Sequence, residues 1–260
     1  MAIHETAIIS NEAKIAESAK IGPYVVIVGQ TSVGENTTID SAARIGNPYG
    51  RTLIGAGNHI FSAAAVGGIP QDLKYNNEVT ELIIGDNNRI RECATMNTGT
   101  VGGGGKTVIG SDNLFMAYSH VGHDCIIGNS NVIANAVSIA GHVNIDNHVT
   151  VGGMSGLSQF ITLGSYSFIA GYSCVNKNVL PFSMASGNWA TMRATNKIGM
   201  ERAGYSKEEV QIVNQIIRMF TKTALRREEA IGKVLADLPA SDLRDLVLDF
   251  AKKSVRGLAI

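Results

Sequence analysis

His120 and His123 stand three residues apart in the stretch SHVGHDC, with Asp124 and Cys125 directly behind them. An imidazole titrates near neutrality, so either ring is suited to take a proton from a hydroxyl as that hydroxyl attacks an acyl carbon. Asp124 is the natural group to hold the ring's tautomer or to steady its charge. Adjacent residues on a strand face opposite ways, however, so the two must meet round a turn or across a subunit boundary. A second chemistry is open: His120, His123 and His142 offer three nitrogens, the set a catalytic zinc takes in a hydratase. A third reading is a polar flank of the fold with no chemistry. Cys125, just before Ile126 and Ile127, reads as buried filler.

GGGGKT, residues 102–107, looks at first like a phosphate-binding loop. That motif needs glycine where Thr100 stands and a helix behind it, whereas a strand pattern follows, so the motif is rejected. Its glycines read as a mobile hairpin loop.

A period of six must position these side chains. Steps of six from Ile3 reach Ile45 through eight aliphatics, and steps of six from Ile109 reach Val175 through twelve apolar residues. This is neither the 3.6 period of a helix nor the alternation of a free-standing strand. It fits a solenoid of very short strands, each offering one aliphatic to a narrow interior, with Gly, Asn and Asp at the corners. Three faces close a coil of 18 residues, and the hexads make between eight and nine coils.

Residues 18 apart then stack, which puts His123, Gly141 and Gln159 in one column with His142 one step along. A backbone N–H at Gly141, where no side chain blocks approach, suits a tetrahedral oxyanion. Gly153 and Gly171, also 18 apart, share another column near the proposed site.

Two stretches break the count, roughly 68–82 and 97–107, and are expected to protrude as loops. The period ends near Pro181, which divides the chain into a solenoid over 1–181 and a helical domain over 182–260. In the latter, Ser206 and Glu209 form a capping box ahead of a first helix. A second helix is expected over 227–238, and a third is capped by Ser241.

Lys+Arg and Asp+Glu are equal at 22 each, which gives no footprint for nucleic acid. Three cysteines at wide spacing make no disulfide framework. With no secretory leader and no membrane-spanning run, the expected location is the cytoplasm, with no membrane insertion.

GIPQDLKY (68–75), SHVGHDC (119–125), ANAVSIAGHV (134–143), GMERAGYS (199–206) and RGL (256–258) resemble the hexapeptide-repeat acyltransferases over essentially the whole chain. Among these the likeness is to the UDP-N-acetylglucosamine O-acyltransferases of lipid A biosynthesis. The resemblance implies a left-handed parallel β-helix with a C-terminal α-helical domain, assembled as a homotrimer with sites between subunits. It implies transfer of a 3-hydroxyacyl chain from acyl carrier protein to the 3-position of a UDP-linked amino sugar, whether UDP-GlcNAc or its 3-amino analogue. No metal or organic cofactor is implied beyond the phosphopantetheine of the carrier.

By the same likeness His123 is the general base and Gly141 the oxyanion donor. Asp72, Lys74, His120, His142, Gln159, Asn196 and Arg202 touch substrate, and Gly171, in column with Gly153, sets acyl length. The chain departs from the family pattern at Asn97, Ser158, Trp189, Ile198 and Ala203, so a paralogue with an altered acceptor, or one that binds without turnover, is a competing expectation.

Overall fold

The computed structural model describes residues 2–223 and 225–260. Strands of mostly two residues wind in order through three parallel sheets, here faces 1, 2 and 3, of a triangular β-helix. In the two-residue strands of the coil the second residue points inward. In one representative coil these are Phe115, Val121 and Ile127, all essentially buried. Each such side chain contributes about 1.5–3 kcal/mol of burial, and stacking makes that core continuous along the axis.

Corners are turned by residues in the left-handed region, many of them not glycine: Asp124 at φ 59°, His142 at φ 61° and Phe160 at φ 65° form one such column. The side chains at these corners radiate from the prism instead of alternating across a sheet.

The step of 18 holds where the site expectation needed it. His120 pairs with Ser138 and Ser138 with Gly156 on face 2, while Val108 pairs with Ile126 and Ile126 with Asn144 on face 3. Earlier coils are longer, because the chain bulges between faces 2 and 3 three times. The bulges span residues 46–50, 69–80 and 98–105, so the two expected loops are joined by a smaller one. All three leave by the corner that His123 occupies, three, two and one coils further on.

Past Pro181 the sheet does not stop. Ser183–Gly187 continues face 1, pairing with Phe168 and Ile169, and turns into the antiparallel strand Ala190–Thr195. The expected helical domain from 182 therefore begins as a β-hairpin. Helix α1, Lys197–Arg202, follows and was not expected; Asn196 caps it and Arg202 ends it.

Helix α2, Lys207–Thr221, carries the capping box of Ser206 and Glu209 and buries Val210, Val213, Ile216, Ile217 and Phe220. Helices α3, Arg227–Asp237, and α4, Asp242–Lys253, complete the cap, with Ser241 accepting the Arg244 N–H. No helix among the described residues is long and apolar enough to cross a membrane.

Candidate active site

His123 lies at the corner between faces 2 and 3, with its side chain only 10% exposed. The left-handed turn at Asp124 resolves the difficulty of two neighbouring side chains. It swings the carboxylate back, so that Asp124 Oδ2 meets His123 Nδ1 at 2.7 Å within one chain. The Asp124 side chain is fully buried. Its Oδ1 accepts the Thr100 N–H at 2.7 Å and its Oδ2 accepts the Thr100 hydroxyl at 2.6 Å. With both Asp124 oxygens accepting from Thr100, the short contact to Nδ1 is a hydrogen bond that Nδ1–H donates to Oδ2. His123 Nε2 then has its lone pair free, and it makes no hydrogen bond among the described residues.

Gly141 sits under this ring, as the register required. A Cβ there would lie 2.7 Å from His123 Cε1 and Nε2. The Gly141 N–H is also without a partner among the described residues. A bare imidazole nitrogen and an unmet amide proton are thus side by side.

His142 meets His123 edge to face at 5.0 Å and lies flat on Phe160 at 4.5 Å. Gln159 completes the His123–Gly141 column but is exposed, and its side chain makes no hydrogen bond among the described residues. His120 is set back on face 2, where its Nδ1 pairs with Thr95 Oγ1 at 2.8 Å. Burial, with a smaller push from the charge of His123, lowers its pKa. Below it the outward line Ser138, Gly156 and Cys174 floors a shallow groove of about 450 Å³ that ends at Trp189.

Within one chain the three-histidine zinc set is not assembled among the described residues. Donor atoms of His123, Asp124 and His142 come within 4.8 Å of one another, and His120 is outside that group. Zinc–nitrogen and zinc–oxygen bonds of about 2.0–2.2 Å separate two ligand atoms by more than the 2.7 Å between His123 and Asp124. That contact is a hydrogen bond, and an ion shared by the two would have to break it.

The glycine-rich loop is not free of the site. Thr100 opens its 3₁₀ turn, Val101–Gly103, and a Cβ at Gly103 would overlap the Asp124 carboxylate. Thr100 is the residue that sequence reasoning missed, because its role depends on a loop fold that the hexad pattern does not encode. Cys125 points inward, its thiol donating to the Ala140 carbonyl, and burial pushes its pKa up to about 12.

Other expected residues lie elsewhere. Asp72 and Lys74 ride the first loop, where Asp72 Oδ1 accepts the Lys74 N–H at 3.0 Å. The base of that loop is tied to the second, since Asn97 donates to the Ile69 carbonyl and Thr98 to the Gly68 carbonyl. Gly153 and Gly171 stack on each other at the corner between faces 1 and 2, so they line the far edge of face 2 and not the His123 corner. Asn196 belongs to the third corner, where its amide donates to the Tyr166 carbonyl, and Arg202 is exposed on the last turn of α1.

Residues 178–259 match the family model described as UDP N-acetylglucosamine O-acyltransferase, domain 2. Residues 106–141 match that of the bacterial transferase hexapeptide (six repeats). The chain is 45% identical over 258 residues, 99% of each sequence, to an acyl-[acyl-carrier-protein]–UDP-N-acetylglucosamine O-acyltransferase of Anaeromyxobacter dehalogenans. It is 40% identical over 256 residues, 98% of each, to the protein of that description in Myxococcus xanthus. The crystal structure of UDP-N-acetylglucosamine O-acyltransferase from Moraxella catarrhalis RH4 superposes with a TM-score of 0.95 at 41% identity, covering 100% of both chains. The coil shared with these structures is the left-handed parallel β-helix.

Proposed function

The chain belongs to the UDP-N-acetylglucosamine O-acyltransferases, and on that footing we infer that it acylates UDP-N-acetylglucosamine from acyl carrier protein with His123 as the general base. The reaction is the first step of lipid A biosynthesis, and we assign it to the cytoplasm. The observation that carries the base assignment is the unpartnered His123 Nε2 beside the unpartnered Gly141 N–H.

Nε2 takes the proton of the sugar 3-hydroxyl as its oxygen bonds to the thioester carbonyl carbon. The carbonyl oxygen, now anionic, is met by the Gly141 N–H. When the carbon–sulfur bond breaks, the imidazolium returns its proton to the departing pantetheine thiolate. Asp124 stays ionised throughout and stabilises the charged ring. No acyl-enzyme forms, since a thiol with a pKa near 12 that faces the core is no nucleophile. The phosphopantetheine that carries the acyl group belongs to the substrate, and the steps above need no other organic group and no metal.

The remaining contacts fall into place if three copies surround an axis. Substrate residues stand at all three corners of one prism: His120, His123, His142 and Gln159 by the second, Gly153 and Gly171 at the first, Asn196 and Arg202 at the third. A single convex prism cannot turn three corners toward one ligand. A homotrimer brings the corner of one chain against the faces of the next, and this supports sites shared between subunits. Asp72 and Lys74 on the protruding loop are then assigned to the substrate, Arg202 to phosphate, and the column of Gly153 and Gly171 to the acyl chain.

The test is product mass. Purified protein with acyl carrier protein and UDP-N-acetylglucosamine should yield one acyl ester per sugar, and His123→Ala should lower the rate about 10³-fold. Equal rates in the two proteins would remove His123 from the chemistry. An amide product from the 3-amino sugar, with none from UDP-N-acetylglucosamine, would reassign the acceptor.

A further inference from the structure

We propose that Thr100 is a positioning residue that makes a hydrogen-bonded chain Thr100–Asp124–His123 and thereby fixes which nitrogen of His123 is the base. The inference rests on His123 having that role.

The direction of each bond follows from proton counting. Thr100 has one hydroxyl hydrogen, and the oxygen's acceptor side is already used by the Gly103 N–H at 3.1 Å. The hydroxyl therefore donates to Asp124 Oδ2 at 2.6 Å, while the Thr100 N–H donates to Oδ1 at 2.7 Å. Asp124 Oδ2 is thus shared between the hydroxyl and His123 Nδ1–H. Two donors on one oxygen keep it from drawing the imidazole proton across, and they fix where the carboxylate stands against the ring. The loop that presents Thr100 is itself pinned. Its carbonyl accepts the Gly103 and Gly105 N–H groups, and Gly105 accepts the Glu81 N–H in turn. Gly103 is the residue that lets this turn close over Asp124, because any Cβ there would overlap the carboxylate. The glycine run is thus a buttress for the catalytic pair.

The other ionisable groups around the carboxylate are few. His142 Nε2 lies 3.8 Å from Oδ2. His120 is coupled to His123 through charge but is bonded to Thr95. Cys125 remains a neutral thiol, and the Asp124 N–H is taken by Thr107 Oγ1 at 2.8 Å. None of these replaces the hydroxyl.

Thr100→Val removes the hydroxyl and keeps shape and backbone; Thr100→Ser restores it. With the donor gone, the carboxylate is held less firmly against Nδ1–H and the ring loses its fixed orientation. kcat then falls about tenfold with both KM values unchanged. Thr100→Ser should recover the wild-type kcat. A valine variant with wild-type kcat, a loss confined to KM, or a serine variant that fails to recover would each overturn the role.

One measurement does not depend on any variant folding. Nitrogen-15 spectra of the wild-type protein above the titration of His123 must show Nδ1 protonated and Nε2 bare, and the opposite tautomer would overturn the chain. Failure of the parent reading is separate: His123→Ala would then keep its activity, whatever Thr100 does.

Discussion

The second and third corners of the prism are built from the same backbone turn and make opposite use of polar side chains. At the third corner Asn58, Asn88, Asn113 and Asn131 point inward as a buried ladder. Each side-chain carbonyl accepts from the next coil: Asn58 Oδ1 from the Asn88 N–H and amide, Asn88 Oδ1 from Asn113, Asn113 Oδ1 from the Asn131 N–H. Nearly all valence is spent within the ladder, the Asn131 amide excepted. At the second corner Asp124 is equally satisfied, but His123 Nε2 and the Gly141 N–H are not. Burial of polar groups is common to both corners, and capacity for chemistry belongs to the one that leaves a lone pair and a proton unmet beside each other.

Substitutions should separate the two. Gly141→Ala puts a Cβ against the His123 ring and should move it by a large part of an ångström. Activity should fall about a hundredfold while the melting temperature changes little, which steady-state rates and a thermal melt will check. At the inert corner Asn88→Ala should do the reverse. Asn113 loses its acceptor for two N–H groups, so stability should drop by about 2–3 kcal/mol in chemical denaturation, with kcat per folded enzyme unchanged. A comparable loss of kcat there would break the contrast.

A smaller effect concerns pH. Because burial lowers the pKa of His120 in the folded state from its ordinary 6.5, the unfolded chain binds more protons in the acid range. Stability is therefore full above pH 6.5 and declines as pH falls from there toward the folded-state pKa. His120→Gln should flatten that decline, seen as a smaller difference in denaturation midpoint between pH 7.5 and pH 5.5. Smallest of all, Cys125→Ala should leave the rate within about twofold, because the thiol takes no covalent part. A rate reduced to the level of His123→Ala would revive an acyl-enzyme.

Much of the scaffold can be read directly from the residues. Ile109, Phe115, Val121, Ile127 and Ile133 mark five consecutive inward positions, and the structure places all five in the core. Stacking of His123 over Gly141 followed from the step of 18 alone. The contact of His123 with Asp124 did not, because it depends on a left-handed φ at an aspartate, and strand alternation suggests that these neighbours diverge.

The hairpin Ser183–Thr195 carries no inward aliphatic every six residues, and its turn signal, Gly187–Asn188, is faint beside the loss of the hexads. Helix α1 buries only Met200, too little for a periodic pattern to form. Thr100 is a threonine in a glycine run, and nothing local points it at a residue 24 positions away. Gly153 and Gly171 were rightly paired as a column, but the repeat count alone does not show which corner a column occupies relative to His123.

The two ends of the coil are finished differently. Beyond Val175 the hairpin and four helices close the prism, whereas Ala2–Ile3, Ile8–Ile9 and Lys14–Ile15 are the terminal strands of their three sheets, each paired on one side only. Among the described residues the outer edge of this coil has no partner strand, and Ile8 is two-thirds exposed. An open strand edge is a template on which another strand can pair. Glu5, Glu12, Lys14, Glu17 and Lys20 are exposed on these first coils, so this edge is guarded by charge where the opposite end is guarded by cover.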